Sequence, residues 1–254
     1  MIQRSFILLP GVGKILEKKL WLQGISSWDD FLLQKKISGF SDSRKRYYDN
    51  ILLEAKTHFI KSETNYFYRL LPSSEHWRLF ECIEKNVIYL DIETDGNFPN
   101  SNIILIGMFR NNDYIPLIRD INLTSFNLKN ALLDCKMLVT FNGSTFDLPC
   151  LEREFSFSIP KVPHFDLRFG CSRLGLKGGL KQIESRFKIS RPKELEYVTG
   201  ENIAYLWRLW KKSSKQNALN TLLKYNEFDV KNLKPIANKI YEGLRSQCLK
   251  FIEY

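Results

Sequence analysis

The chain has 254 residues, 44% hydrophobic and 13% aromatic, enough apolar material for a sizeable core and a composition that excludes a disordered chain. No apolar run approaches the ~20 residues that span a bilayer, and Phe6-Ile7-Leu8-Leu9 is too short for a signal-peptide core. Five scattered cysteines without a Cys-x-x-Cys pair fit neither a disulfide scaffold nor a zinc site, so the expected location is the cytoplasm. The net charge of +10 favours a polyanionic partner, nucleic acid first, over the plainer reading of a solubilising surface. Residues 1–70 hold 12 Lys and Arg against 7 Asp and Glu, so half of the excess sits in little more than a quarter of the chain.

Taken in order, Leu9-Pro10-Gly11-Val12-Gly13 forms a tight turn that opens an amphipathic helix, with Ile15, Leu16, Leu20 and Trp21 expected on one face. Glycines let the backbone approach a ligand, and free amides at a helix start bind phosphate, so Gly11, Gly13 and Lys14 are candidate nucleic-acid contacts. A purely structural turn is the alternative. The hairpin and its Gly24-Ile25 exit resemble a helix-hairpin-helix motif, from which Glu17 departs, since a small residue is more usual there. Trp28 to Phe59 reads as helical, with Arg44-Lys45-Arg46 on a solvated face, and a boundary is expected between Ser62 and Glu81. This divides the chain into a small all-helical region, 1–70, and an α/β domain, 71–254.

The α/β part opens on Val87-Ile88-Tyr89-Leu90-Asp91-Ile92-Glu93-Thr94, an apolar run suited to a central strand that ends in acid. Side chains alternate along a strand, so Asp91 and Glu93 point to the same side. Two like charges so placed repel unless something positive lies between them, and carboxylate oxygens suit Mg²⁺ or Mn²⁺. A strand ending in a solvated Asp-Gly turn is the alternative. Ile103–Phe109 and Tyr114–Ile118 read as two further strands, Leu128–Cys135 as a short helix, Met137–Phe141 as a fourth strand and Pro163–Arg168 as a fifth. Three strands in succession followed by alternating helix and strand indicate a mixed sheet.

Asn142-Gly143 turns the chain after the fourth strand, Ser144 or Thr145 can cap the helix that follows, and Asp147 falls in its first turn. Towards the C-terminus Tyr225 and Asp229 stand four apart and share a helix face. Trp207, Trp210 and Tyr205 fall at helical spacing and read as core, the alternative being that an exposed one stacks on an unpaired base.

Leu90-Asp91-Ile92-Glu93-Thr94, Asn142-x-x-x-Phe146-Asp147 and Tyr225-x-x-x-Asp229 resemble, in that order, the three motifs of the DEDD exonuclease superfamily, whose fold is ribonuclease-H-like. The likeness is to proofreading domains of family B DNA polymerases and to predicted ribonuclease-H-like exonucleases that carry a helix-hairpin-helix ahead of the nuclease, a group in which Glu17 is ordinary. It implies a ribonuclease-H-like mixed sheet flanked by helices, with Asp91 bridging two Mg²⁺ or Mn²⁺ ions, Glu93 and Asp229 completing the first, and Asp147 holding the second. Tyr225 would orient the attacking water. Lys224 stands where the other subclass carries histidine, which indicates the tyrosine subclass.

The implied activity is 3′ to 5′ exonucleolytic hydrolysis, with single-stranded DNA favoured and RNA open as substrate, and a helicase or polymerase as a conceivable partner. Asn142 and Phe146 are implied substrate contacts. In Gly175-Leu176-Lys177-Gly178-Gly179-Leu180-Lys181, Lys177 and Lys181 could grip phosphate or merely be solvated. Asp166 could assist the metals or make a structural bond to Arg168; the structural role is expected. A non-catalytic nucleic-acid-binding scaffold and an endonuclease of the same fold are the alternatives to the exonuclease.

Overall fold

The computed structural model describes residues 1–97, 101–156 and 158–252. Helices α1 (Lys14–Leu22), α2 (Trp28–Leu33), α3 (Asp42–Ile60) and α4 (Thr64–Leu70) come first. The single helical stretch expected from Trp28 to Phe59 is therefore two helices. Ser27 and Ser41 start them by accepting from the amides of Asp30 at 3.1 Å and Arg44 at 3.2 Å.

Along α1, Leu20 and Trp21 are buried, but Ile15 is 78% exposed and Glu17 is buried in its place. Glu17 accepts from Ser5 and the Phe6 amide and pairs with Arg78 at 2.9 Å. A charge buried there holds because its oxygens are all engaged. Lys45, expected on a solvated face, is buried beside Asp49 at 2.6 Å.

A run of 3₁₀ turns, Ser73–Asn86, leads into the sheet. Its strands are β1 (Val87–Thr94), β2 (Ile103–Arg110), β3 (Asp113–Ile118), β4 (Met137–Thr140) and β5 (His164–Asp166), in the order β3-β2-β1-β4-β5. The first three are antiparallel neighbours, whereas β4 and β5 run parallel to β1, so the sheet is mixed as expected. Between β3 and β4 lies α5 (Ser125–Ala131), three residues earlier than expected because Thr124 caps it through the Asn127 amide. Helix α6 (Asp147–Glu154) follows β4, and α7 (Leu167–Arg173) begins directly after β5, which cuts the expected fifth strand to three residues. Then come α8 (Leu180–Arg186), α9 (Gly200–Ser213) and α10 (Gln216–Leu249).

β1 is central and buried on both faces up to Leu90, as its apolar run requires. One face of the sheet packs against α6 and its neighbours through Ile88, Leu90, Leu138 and Leu151. On the other lie α9 and α10. The apolar cluster that includes Tyr89, Val139, Val230 and Ile236 runs without a break into the N-terminal helices through Trp77, Phe6 and Leu20. Among the described residues no helix is long and apolar enough to cross a membrane.

Candidate active site

The site is built where β1 leaves its fully buried stretch. Asp91 is partly accessible and Glu93 is buried; extended backbone turns both toward α10. That helix brings Asp229, and the three carboxylates each offer an oxygen within 4.8 Å of the others. Asp147, the first residue of α6, is also buried, and its Oδ1 accepts from the Ile92 amide at 3.1 Å. It thus flanks β1 between the two acids without joining the tighter trio.

Asn226 tightens the arrangement. Its Nδ2 donates to Asp91 at 3.0 Å and to Glu93 at 3.5 Å, while its Oδ1 accepts from the Tyr114 hydroxyl at 3.0 Å. The amide can come this close because Gly107, the β2 partner of Asp91, has no side chain; a Cβ there would stand 1.6 Å from Asn226 Oδ1. An isolated glycine inside an otherwise apolar strand was the signal that could have revealed this contact.

Burial raises the carboxyls of Asp91 and Glu93 well above the ordinary range, and the neighbouring carboxylates add to the rise. Burial also lifts Asp147 to about 7, against the lowering effect of the Ile92 amide. Asp229 is pushed up to about 6 by burial even though Arg191 beside it favours the carboxylate. Such clustering of oxygen ligands, each made costly to ionise by burial and by like charge, is the condition that a hard divalent cation relieves. The donor set of Asp91, Glu93 and Asp229, with Asp147 adjoining, therefore fits a hard divalent cation.

Tyr225 lies one turn before Asp229 and is 9% exposed. Burial, followed by Asp229 and Glu93, holds its phenol above the ordinary range, so it remains an O–H donor at neutral pH. Arg191, from the segment after α8, donates to Asp229 and, at 2.7 and 2.8 Å, to both oxygens of Glu184. Neither Arg191 nor Glu184 nor Asn226 was foreseen, because none belongs to a motif of recognisable spacing.

The expected nucleic-acid contacts fall in two places. A groove of about 640 Å³ is lined by Asn142, Lys177, Phe141, Leu176 and Arg168. Phe146, next to Asp147, is 42% exposed and does not line this groove. The Arg168 guanidinium donates to Asn142 Oδ1 at 2.7 Å, and Asn142 takes a left-handed φ of 70° to make the turn. Neither Ser144 nor Thr145 caps α6; Thr145 instead donates to Asn142, and Phe146 occupies the cap position. Lys181 donates to the carbonyls of Val198 and Glu196 and stands 5.5 Å from the Tyr225 ring centre, facing the acids more than the groove.

Gly11, Gly13 and Lys14 lie apart, on the N-terminal hairpin. Gly11 has a left-handed φ of 75°, and Lys14 pairs with Glu75 at 3.0 Å. Asp166 has the structural role: it accepts from the amides of Asn142, Ser144 and Arg168. His164, bonded to Thr140 at 2.8 Å, is held down to about 4 by burial and stays neutral. Of the three aromatics of α9, Trp207 is buried and Trp210 half-buried beside it, but Tyr205 is exposed.

No curated protein and no solved structure matches the chain. A family model described as RNase_H superfamily matches residues 88–241, a span that begins within β1 and ends on α10 and so includes all four acids. With that match over well more than half of its length, and with the sheet order β3-β2-β1-β4-β5 beneath the acids, the chain belongs to the RNase H superfamily.

Proposed function

We propose that the protein is a metal-dependent 3′ to 5′ exonuclease that hydrolyses phosphodiester bonds of single-stranded DNA. The observation that carries the reading is the convergence of Asp91, Glu93 and Asp229 within 4.8 Å, with Asp147 hydrogen-bonded to the strand between the first two. A divalent cation bound there lowers the pKa of an attacking water and neutralises charge on the phosphate oxygens. The chain itself supplies orientation. Asn226 donates to both Asp91 and Glu93, and the Ile92 amide donates to Asp147. Tyr225, kept protonated by burial, orients water through its hydroxyl and does not abstract its proton.

Single-stranded substrate is favoured by what flanks the acids. Phe146 is exposed beside Asp147, and Phe141 lines the groove with Arg168 and Lys177, a pairing of aromatic faces and cations suited to unpaired bases and their phosphates. The N-terminal hairpin, with Gly11 and Gly13 exposed, offers a second backbone contact.

The test is degradation of a 5′-labelled single-stranded DNA in Mg²⁺ or Mn²⁺, with EDTA and Asp229→Ala as controls. A ladder of progressively shorter labelled products, lost in both controls, is expected. Cleavage of a circular or end-blocked substrate would transfer the activity to an endonuclease. Inert DNA and RNA with binding retained would leave a scaffold.

A further inference from the structure

The side chain of Arg191, 7% exposed, lies at the site without belonging to any of the acidic motifs. Its Nε and Nη2 clamp Glu184 at 2.7 and 2.8 Å, and Nη2 reaches across to Asp229. Glu184 is itself anchored, since its Oε1 accepts from Asn232 at 2.8 Å, one turn beyond Asp229 on α10. Nη1 of Arg191 is buried with no hydrogen-bond partner. The guanidinium is therefore fastened on the Glu184 side by two bonds and on the Asp229 side by one, with a further N–H unengaged. Loss of the Asp229 contact would leave Arg191 in place on Glu184.

Asp229 offers an oxygen to the same small space as Asp91 and Glu93. A guanidinium on that carboxylate draws away electron density and repels a divalent cation arriving at the other two acids. We infer that Arg191 is a built-in counter-ion that competes with the divalent cation for Asp229 and so raises the cation concentration at which the site fills. It is a positioning residue: it stabilises the metal-free arrangement of Asp229 and yields that carboxylate when the cation binds. This rests on the reading of the acids as a metal centre but not on the reaction carried out there.

The experiment titrates Mn²⁺ into metal-free protein without nucleic acid, following free Mn²⁺ by electron paramagnetic resonance. Arg191→Met is expected to bind about tenfold tighter than wild type, because the cation no longer competes with the guanidinium for Asp229, whereas Arg191→Lys, which keeps the charge, stays near wild type. The metal-free melting temperature of Arg191→Met should fall below that of wild type, with the gap closing at saturating Mn²⁺. A merely structural role would lower melting in both states without tightening the metal. Folded Arg191→Met with equal or weaker Mn²⁺ affinity overturns the inference.

Glu184→Gln/Arg191→Met removes the pair together and gives the same readout if the single variant does not fold. In ¹⁵N-arginine-labelled wild type, addition of Mg²⁺ should move the Arg191 Nη2–H resonance, the group that donates to Asp229; an unmoved Nη2–H signal at a saturated site also overturns the inference. A wild type that binds Mn²⁺ but cleaves no nucleic acid removes the exonuclease and leaves the role of Arg191 standing.

Discussion

At the scale of single residues, the proposed site includes two groups that are not acids, Asn226 and Tyr225. Asn226 is fully buried and is the only side chain among the described residues that donates to both Asp91 and Glu93. Removing it takes a donor from the partly accessible Asp91 and from the buried Glu93. Asn226→Ala is expected to lower cation affinity and cleavage about 10- to 100-fold, measured by Mn²⁺ titration and by rate. Tyr225→Phe keeps the ring in its packing and deletes only the hydroxyl. It should leave Mn²⁺ affinity unchanged and reduce cleavage by about a hundredfold or more. Equal rates for Tyr225→Phe and wild type would exclude the hydroxyl from the chemistry.

At the scale of elements, the contact that matters is between α10 and β2. Gly107 pairs with Asp91 across the β1–β2 ladder, and Asn226 occupies the volume that a side chain at 107 would fill. Gly107→Ala must push the Asn226 amide off the two acids, since β2 is held in register on both sides. The expected cost is about 1–3 kcal/mol of stability. Activity should fall further than the stability loss explains, because both acids lose their shared donor. A melting curve and a cleavage rate on the same sample separate the two effects. Gly13→Ala, where a Cβ meets nothing within 4 Å, should leave melting unchanged.

At the scale of the molecule, the N-terminal helices are joined to the rest by a buried ionic network as well as by apolar packing. Arg78 pairs with Glu17 of α1 at 2.9 Å and with Glu75 at 2.7 Å, and Glu75 in turn takes Arg173 of α7 at 3.1 Å. Arg78→Met leaves Glu17 buried without a cation, a change expected to cost about 3–5 kcal/mol. Glu17→Gln/Arg78→Met, which removes the stranded charge, should recover part of that loss in chemical denaturation. Recovery of nothing would mean that packing, and not charge, makes the joint.

The acids also impose a pH dependence on the metal-free protein. Asp147 titrates near 7 in the folded chain against 3.8 as its ordinary value, so the folded state keeps a proton that the unfolded state releases. Stability from this group is therefore greatest at low pH and is lost as the pH rises through about 7. Buried His164 works in the opposite sense below its ordinary range, so the measurement is a difference between variants. Without metal, the melting temperature of Asp147→Asn should gain on that of wild type between about pH 4 and about pH 7. Saturating Mg²⁺ at the upper end should restore the wild type selectively. A constant difference across that range would mean that Asp147 is ionised throughout.

Much of this was legible in the chain itself. The run Val87–Leu90 is too apolar for anything but a central strand, and period-two alternation then sends Asp91 and Glu93 the same way. Helical spacing likewise sets Tyr225 and Asp229 on one face, because local geometry alone decides both. Which groups meet across the fold is a different matter. Glu184, Arg191 and Asn226 are ordinary residues in sequence, and Arg191 lies 38 positions from the carboxylate it touches. Only the packing of α10 over β1 and β2 made them neighbours, since contact between distant segments depends on how elements stack and not on the spacing within any one of them.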